Sequence, residues 1–114
     1  MDAVERELRL YVAENGKIPY SLWLHSLKDI RARAVIRVRL NRIRLGIFGD
    51  CKPVGDGVKE LRIDHGPGYR VYFGLVDRRI VLLLCGGDKS SQPRDMEKAR
   101  AYWADYRRRE YGDE

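Results

Sequence analysis

A chain of 114 residues, 44% hydrophobic and 35% charged, has room for one compact core. Its mean hydropathy of −0.52 is globular, not disordered. The longest uncharged apolar run, Ile80 to Cys85, is far too short to span a bilayer. The polar start, Met1-Asp2-Ala3-Val4-Glu5-Arg6, lacks the apolar segment of a signal peptide. The expectation is one cytoplasmic domain over 1–114 with no membrane partner. Cys51 and Cys85 are then kept reduced, and two isolated thiols make neither a disulfide framework nor a metal site. The net charge of +6 is concentrated between Lys28 and Lys52, where eight basic residues meet two acids. The rest of the chain balances 15 basic against 15 acidic residues. Such a local excess points to an anionic partner, nucleic acid first. A solvated helix surface, or a docking face for an acidic protein segment, is the plainer alternative.

In chain order, Glu5 to Tyr11 reads as a short strand, although Glu-Arg-Glu-Leu-Arg also suits a helix. Asn15-Gly16 marks a turn. Pro19 opens a helix through Leu22, Trp23 and Leu27. Asp29 caps a second helix, which meets no Gly or Pro before Gly46. Arg31 to Leu40 alternates in part like a strand, but length and the Ala and Arg content favour the helix. At 100° per residue Arg33, Arg37 and Arg44 share one face, and Arg31, Arg39 and Arg42 another. Gly49, Pro53, Gly55 and Gly57 punctuate a loop. Three strand-like runs follow: Leu61 and Ile63 between Glu60, Arg62 and Asp64; Tyr69, Val71, Phe73 and Leu75 between Arg70, Tyr72 and Gly74; and Ile80 to Leu84, apolar throughout and so buried on both faces. Gly66-Pro67-Gly68 and Asp77-Arg78 are the turns between them. After Gly86-Gly87-Asp88-Lys89, Ser90 or Ser91 caps a last helix. Its stripe of Met96, Ala99, Trp103 and Tyr106 packs on the sheet. The sum is an α+β fold, β-α-α-β-β-β-α: a small curved, mainly antiparallel sheet, an N-terminal helical hairpin and a C-terminal helix.

Most enzyme signatures are missing: no Walker loop, HExxH, paired CxxC or GxSxG. No metal or cofactor is expected. His25 reads as a surface residue and His65 as a polar turn residue. The notable group is Glu60, Arg62, Arg70 and Tyr72 on one side of two adjacent strands, with Lys89 just past the third. A ladder of opposite charges would account for Glu60 at about 1 kcal/mol or less per pair. Two neighbouring arginines, however, repel unless an anion lies between them, and a phosphate satisfies both. RNA cleavage by the strand's own 2′-hydroxyl needs a base, cations around the phosphate and a partner for the leaving 5′-oxygen. Glu60 is then the base, Arg62 and Arg70 the clamp, and Lys89 the leaving-group partner. Tyr72 or Tyr69 stacks on a base. Arg33, Arg37, Arg44 and Lys52 are the candidate RNA-docking cations.

The ordered words Trp23-Leu24…Leu27-Lys28-Asp29…Arg31-Ala32-Arg33-Ala34, Gly46-Ile47-Phe48-Gly49-Asp50, Glu60-Leu61-Arg62-Ile63, Gly66-Pro67-Gly68-Tyr69-Arg70-Val71-Tyr72-Phe73 and Leu82-Leu83-Leu84-Cys85-Gly86-Gly87-Asp88-Lys89-Ser90 carry a resemblance. From about Pro19 to Tyr106 the chain resembles the HigB-like addiction-module killer branch of the RelE/ParE toxin superfamily. The resemblance implies a toxin of a type II toxin–antitoxin module, restrained by a cognate antitoxin of helix-turn-helix type. It further implies a ribosome-dependent, metal-independent endoribonuclease that cuts mRNA and inhibits translation. ParE-like relatives instead inhibit DNA gyrase, and a non-catalytic nucleic-acid- or antitoxin-binding regulator is a third reading. Arg70 matches the arginine of the family's Gly-Tyr-Arg motif, Arg62 falls on a strand lysine, and Lys89 falls near a later arginine. Glu60 reverses the charge of the family's first strand lysine, and Asp95 stands where the family has a tyrosine.

Overall fold

Two apolar surfaces, one on each side of a single sheet, determine the architecture. The computed structural model describes residues 4–112. The elements are β1 (Glu7–Leu10), α1 (Pro19–Ser26), α2 (Ile30–Arg44), β2 (Cys51–Pro53), β3 (Val58–Ile63), β4 (Tyr69–Val76), β5 (Ile80–Asp88), a 3-10 turn (Lys89–Ser91) and α3 (Gln92–Tyr111). The strands lie in the order β1-β5-β4-β3-β2, antiparallel except that β1 runs parallel to β5.

The local signals act as their chemistry requires. The Asp29 carboxylate accepts from the Arg31 N–H at 2.9 Å and caps α2. Gly46, at φ 89°, stops the helix in the left-handed region that glycine enters without strain. The stretch from Gly49 to Gly57, read as loop, contains the three-residue edge strand β2, paired with Lys59 to Leu61. Its brevity and Pro53 blunt that edge. The last helix is not capped by a serine side chain. Asp88 instead accepts from Ser90 N–H at 2.8 Å to cap the 3-10 turn, and Ser91 Oγ bonds to Asp95.

One face of the sheet, with Leu61, Ile63, Tyr69, Val71, Phe73, Val81 and Leu83, packs beneath Leu24 of α1 and Ala32, Ile36, Leu40 and Ile43 of α2. The other face, with Val58, Tyr72, Val76, Leu82, Leu84 and Cys85, packs beneath Ala99 and Trp103 of α3. A bulge makes this possible: Tyr72 opposes Cys85 while Phe73 opposes Leu83, so Leu84 and Cys85 both face α3. The face opposite the β3–β4 alternation is therefore not an open polar surface, as the alternation suggested. α3 covers it. Among the described residues no helix is long and apolar enough to cross a membrane.

The close approach of helix to sheet depends on missing side chains. A methyl at Gly74 would overlap the indole of Trp103, and one at Gly86 would overlap that of Trp23. Trp103 is buried and stacks on Tyr106, so its indole cannot withdraw without losing that packing. Gly74→Ala should therefore destabilise the fold by about 1–3 kcal/mol through overpacking. Urea unfolding monitored by circular dichroism should show a lower midpoint at an unchanged slope.

Candidate active site

β3 and β4 are in register so that Glu60 opposes Tyr72 and Arg62 opposes Arg70. All four side chains leave the sheet on the α3 side, because their neighbours Leu61, Ile63, Val71 and Phe73 fill the other. The N-terminal end of α3 lies over the first pair and stops short of the second. Glu60 and Tyr72 are both 0% exposed, whereas the side chains of Arg70 and Arg62 are 11% and 35% exposed.

An ionised carboxylate without water must be fully partnered, and Glu60 is. Its Oε2 accepts from Tyr72 Oη–H at 3.0 Å and from Gln92 Nε2–H at 2.8 Å. Its Oε1 accepts from Arg62 Nε–H at 3.2 Å and lies 3.8 Å from Arg70 Nε. Directly opposed like charges would destabilise the strand pair, and the single oxygen between them reverses that sign. Burial alone pushes the Glu60 carboxyl up. The bonds from Gln92, Tyr72 and Arg62 and the charge of Arg70 outweigh it, and hold the group below its ordinary value of 4.5. Burial, then the charge and the hydrogen bond of Glu60, push the Tyr72 phenol well up, so it stays protonated as a donor.

Arg62, Arg70 and Lys89 converge on a groove of about 360 Å³, whose other walls are Asp50, Asp64 and the turn Gly66-Pro67-Gly68. The Arg70 guanidinium is braced by its Nη1–H donating to the carbonyls of Gly68 and Tyr69, each at 3.1 Å. Arg70 Nε is buried and makes no hydrogen bond among the described residues. The arrangement can hold an oxyanion between two guanidinium groups and the exposed ammonium of Lys89. A solvent-facing carboxylate, Asp64, continues the Glu60–Arg62 alternation to the groove wall.

Three expected roles change. Glu60 cannot reach a substrate proton, since it is buried and both oxygens are engaged; it positions the arginines. Neither Tyr72 nor Tyr69 offers a face to a nucleobase. Tyr72 is buried beneath α3, and Tyr69 is packed between Trp23 and His65. The helical arginines lie apart from the groove, because α2 covers the opposite sheet face. Arg33 is occupied locally, donating from Nε to the Leu27 carbonyl at 2.8 Å and from Nη2 to the His25 carbonyl at 2.9 Å. Arg37 and Arg44 are exposed. Lys52 lines a different cleft of about 800 Å³ between β2 and α3, with Arg94, Glu97 and Arg100. Among the described residues no three His, Cys, Asp or Glu side chains cluster as metal ligands would.

Sequence reasoning missed Gln92 and the role of Asp95. Gln92 is the first residue of α3, and nothing local marks it. The available signal was its partner: a glutamate on a strand buried by a helix needs a donor from that helix. Asp95 is buried in the first turn of α3, where it takes the Ser91 hydroxyl and fits only because Gly87 has no side chain.

A carboxyl held low in the folded state contributes stability that is complete above its unfolded value. That contribution is lost as pH falls through the lower folded value. The chain should therefore lose stability on acidification below about pH 4. Glu60→Gln should remove that part of the acid dependence while costing about 1–3 kcal/mol at pH 7, because Arg70, 11% exposed, and the more exposed Arg62 lose their shared anion. Urea midpoints from pH 3 to 7 for the two proteins check both statements.

Residues 22–108 match the model of the family described as phage-derived protein Gp49-like (DUF891). That span runs from within α1 to within α3 and includes the whole groove. The chain is also 49% identical over 83 residues to an uncharacterized protein of Haemophilus influenzae (strain ATCC 51907 / DSM 11121 / KW20 / Rd), covering 73% of this chain and 84% of the relative. With most of its length matched, the chain belongs to the Gp49-like phage-derived family, a RelE/ParE-like family of addiction-module toxins.

Proposed function

We propose that the chain is the toxin of a type II toxin–antitoxin module and acts as a ribosome-dependent mRNA endoribonuclease. Family membership implies an antitoxin partner. The observation that carries the catalytic reading is the Arg62–Arg70 pair, fixed from below by a buried carboxylate and opening with Lys89 on one groove.

In the proposed reaction the 2′-oxygen attacks phosphorus and forms a 2′,3′-cyclic phosphate, while the bond from phosphorus to the 5′-oxygen breaks. The 2′-hydroxyl proton passes to Asp64, which replaces Glu60 in the base role, and Lys89 supplies a proton to the departing 5′-oxygen. Arg62 and Arg70 neutralise the charge that builds on the non-bridging oxygens. Because Glu60, itself fixed by Tyr72 and Gln92, holds them beforehand, little reorganisation is needed at the transition state.

Arg70→Ala should lower mRNA cleavage by about 10²- to 10³-fold, the usual cost of one preorganised donor. Arg70→Lys should rescue only in part, since an ammonium lacks the planar fork. Pulse labelling of cells expressing the chain without antitoxin separates the two targets. A fall in protein synthesis ahead of DNA synthesis supports the ribonuclease. An early fall in DNA synthesis with intact message assigns the chain to gyrase inhibition.

A further inference from the structure

The sheet has two edges, and only one of them is guarded. β2, at one edge, is three residues long and ends on Pro53. β1, at the other, has no Pro, Gly or Lys anywhere from Val4 to Val12, and its pairing with β5 runs without a bulge. Glu7 N–H donates to the Arg79 carbonyl at 2.8 Å and Tyr11 N–H to the Leu83 carbonyl at 3.0 Å, so the odd-numbered residues turn their backbone groups to β5. Alternation turns those of Leu8 and Leu10 to the open edge. The end of α2 lies alongside, because Arg6 N–H donates to the Arg44 carbonyl at 2.7 Å. Five of the nine exposed large apolar side chains among the described residues collect here: Val4, Leu10 and Val12 from the strand and its flanks, Leu45 and Ile47 from the end of α2. An unguarded edge bordered by such side chains marks a contact surface.

We propose that β1 is the interface of a two-fold homodimer, in which it pairs antiparallel with β1 of a second copy and joins the two sheets into one. The strand is self-complementary about Leu8. With Leu8 opposite the partner's Leu8, Glu7 faces the partner's Arg9, and Arg9 faces the partner's Glu7. The backbone agrees with this register. Even-numbered residues oppose even-numbered ones, so Leu8 exchanges both hydrogen bonds with its counterpart and Leu10 N–H meets the partner's Arg6 carbonyl. Glu7 and Arg9 then occupy the non-hydrogen-bonded positions, where facing side chains lie closest. Val4 meets the partner's Val12, and Leu10 arrives where the partner's α2 ends. A slip of two residues either way would set Glu7 on the partner's Glu7, or Arg9 on the partner's Arg9, so charge selects this register. Within one copy Glu7 and Arg9 already pair with each other, both exposed, and the dimer exchanges that contact for two across the interface. β1 borders Ile80 to Leu83, whereas Arg70 lies opposite Gly87 at the far end of β5, so both grooves stay open.

Sedimentation velocity on the full chain from about 1 μM to 1 mM should show a monomer–dimer equilibrium. Glu7→Arg sets arginine against arginine across the interface, and Arg9→Glu sets glutamate against glutamate. Each should weaken dimerisation at least about tenfold, since symmetry makes two facing pairs change sign at once. Mixing the two variants in equal amounts returns opposite charges to both pairs and should restore the dimer. The exchange variant Glu7→Arg/Arg9→Glu keeps the ion pair within each copy. It should dimerise with itself and refuse a fluorescently labelled wild-type chain. If either single reversal lowers the unfolding midpoint, the exchange variant carries the comparison. A chain that stays monomeric at every concentration overturns the proposal and leaves the edge to an extended segment of another protein. A dimer indifferent to both reversals, or weakened by both and not restored by mixing, overturns it as well and places the contact elsewhere on the surface.

Discussion

A carboxylate sealed from water is the constraint around which this molecule is arranged. Glu60 lies under the first turn of α3 and needs every one of its partners. Gln92 can reach it only if α3 starts at the end of β5, and Tyr72 only if β3 and β4 hold their register. Arg62 and Arg70 can stand opposite one another only because the carboxylate lies between them. The price of burying the charge is met by making it the hub that fixes two cations at the mouth of a groove. Fold and site are consequently one problem here.

The sheet makes this possible by being buried twice. α1 and α2 take one face, and α3 takes the other except at the end where the groove opens. Three glycines let the layers close: Gly74 and Gly86 beneath tryptophans, and Gly87 beside Asp95. The bulge at Leu84 turns an extra apolar residue toward α3, so β5 serves both cores. Where α3 stops, the last strand residues and the 3-10 turn bring Lys89 round to the arginines.

Much of this was legible in the residues. Pro19, Asp29 and Gly46 delimit the helical hairpin through backbone chemistry alone, and Asp77-Arg78 forms a turn with both residues at positive φ. The cations Arg62, Arg70 and Lys89 were legible from alternation and from the family resemblance, and the fold brings them to one groove. What alternation cannot say is whether the face it defines is covered. Alternation alone places Glu60 and Tyr72 on the same polar face as Arg62 and Arg70, without showing that α3 covers them. Yet Ile80 to Leu84 held the missing information, since a strand apolar on both faces requires a cover on each. The two uses of arginine on α2 were not separable from charge either. Arg33 and Arg39 are spent on backbone carbonyls, which depends on where α1 and β3 end.

The central claim is that the carboxylate-held arginines promote attack by the 2′-hydroxyl of a message. The ends left on cleaved mRNA test it most directly. Sequencing of termini from cells expressing the chain without antitoxin should reveal new 5′-hydroxyl ends paired with 2′,3′-cyclic phosphates or their 3′-phosphate hydrolysis products. Intact messages, or ends bearing 5′-phosphate and 3′-hydroxyl, would contradict the account.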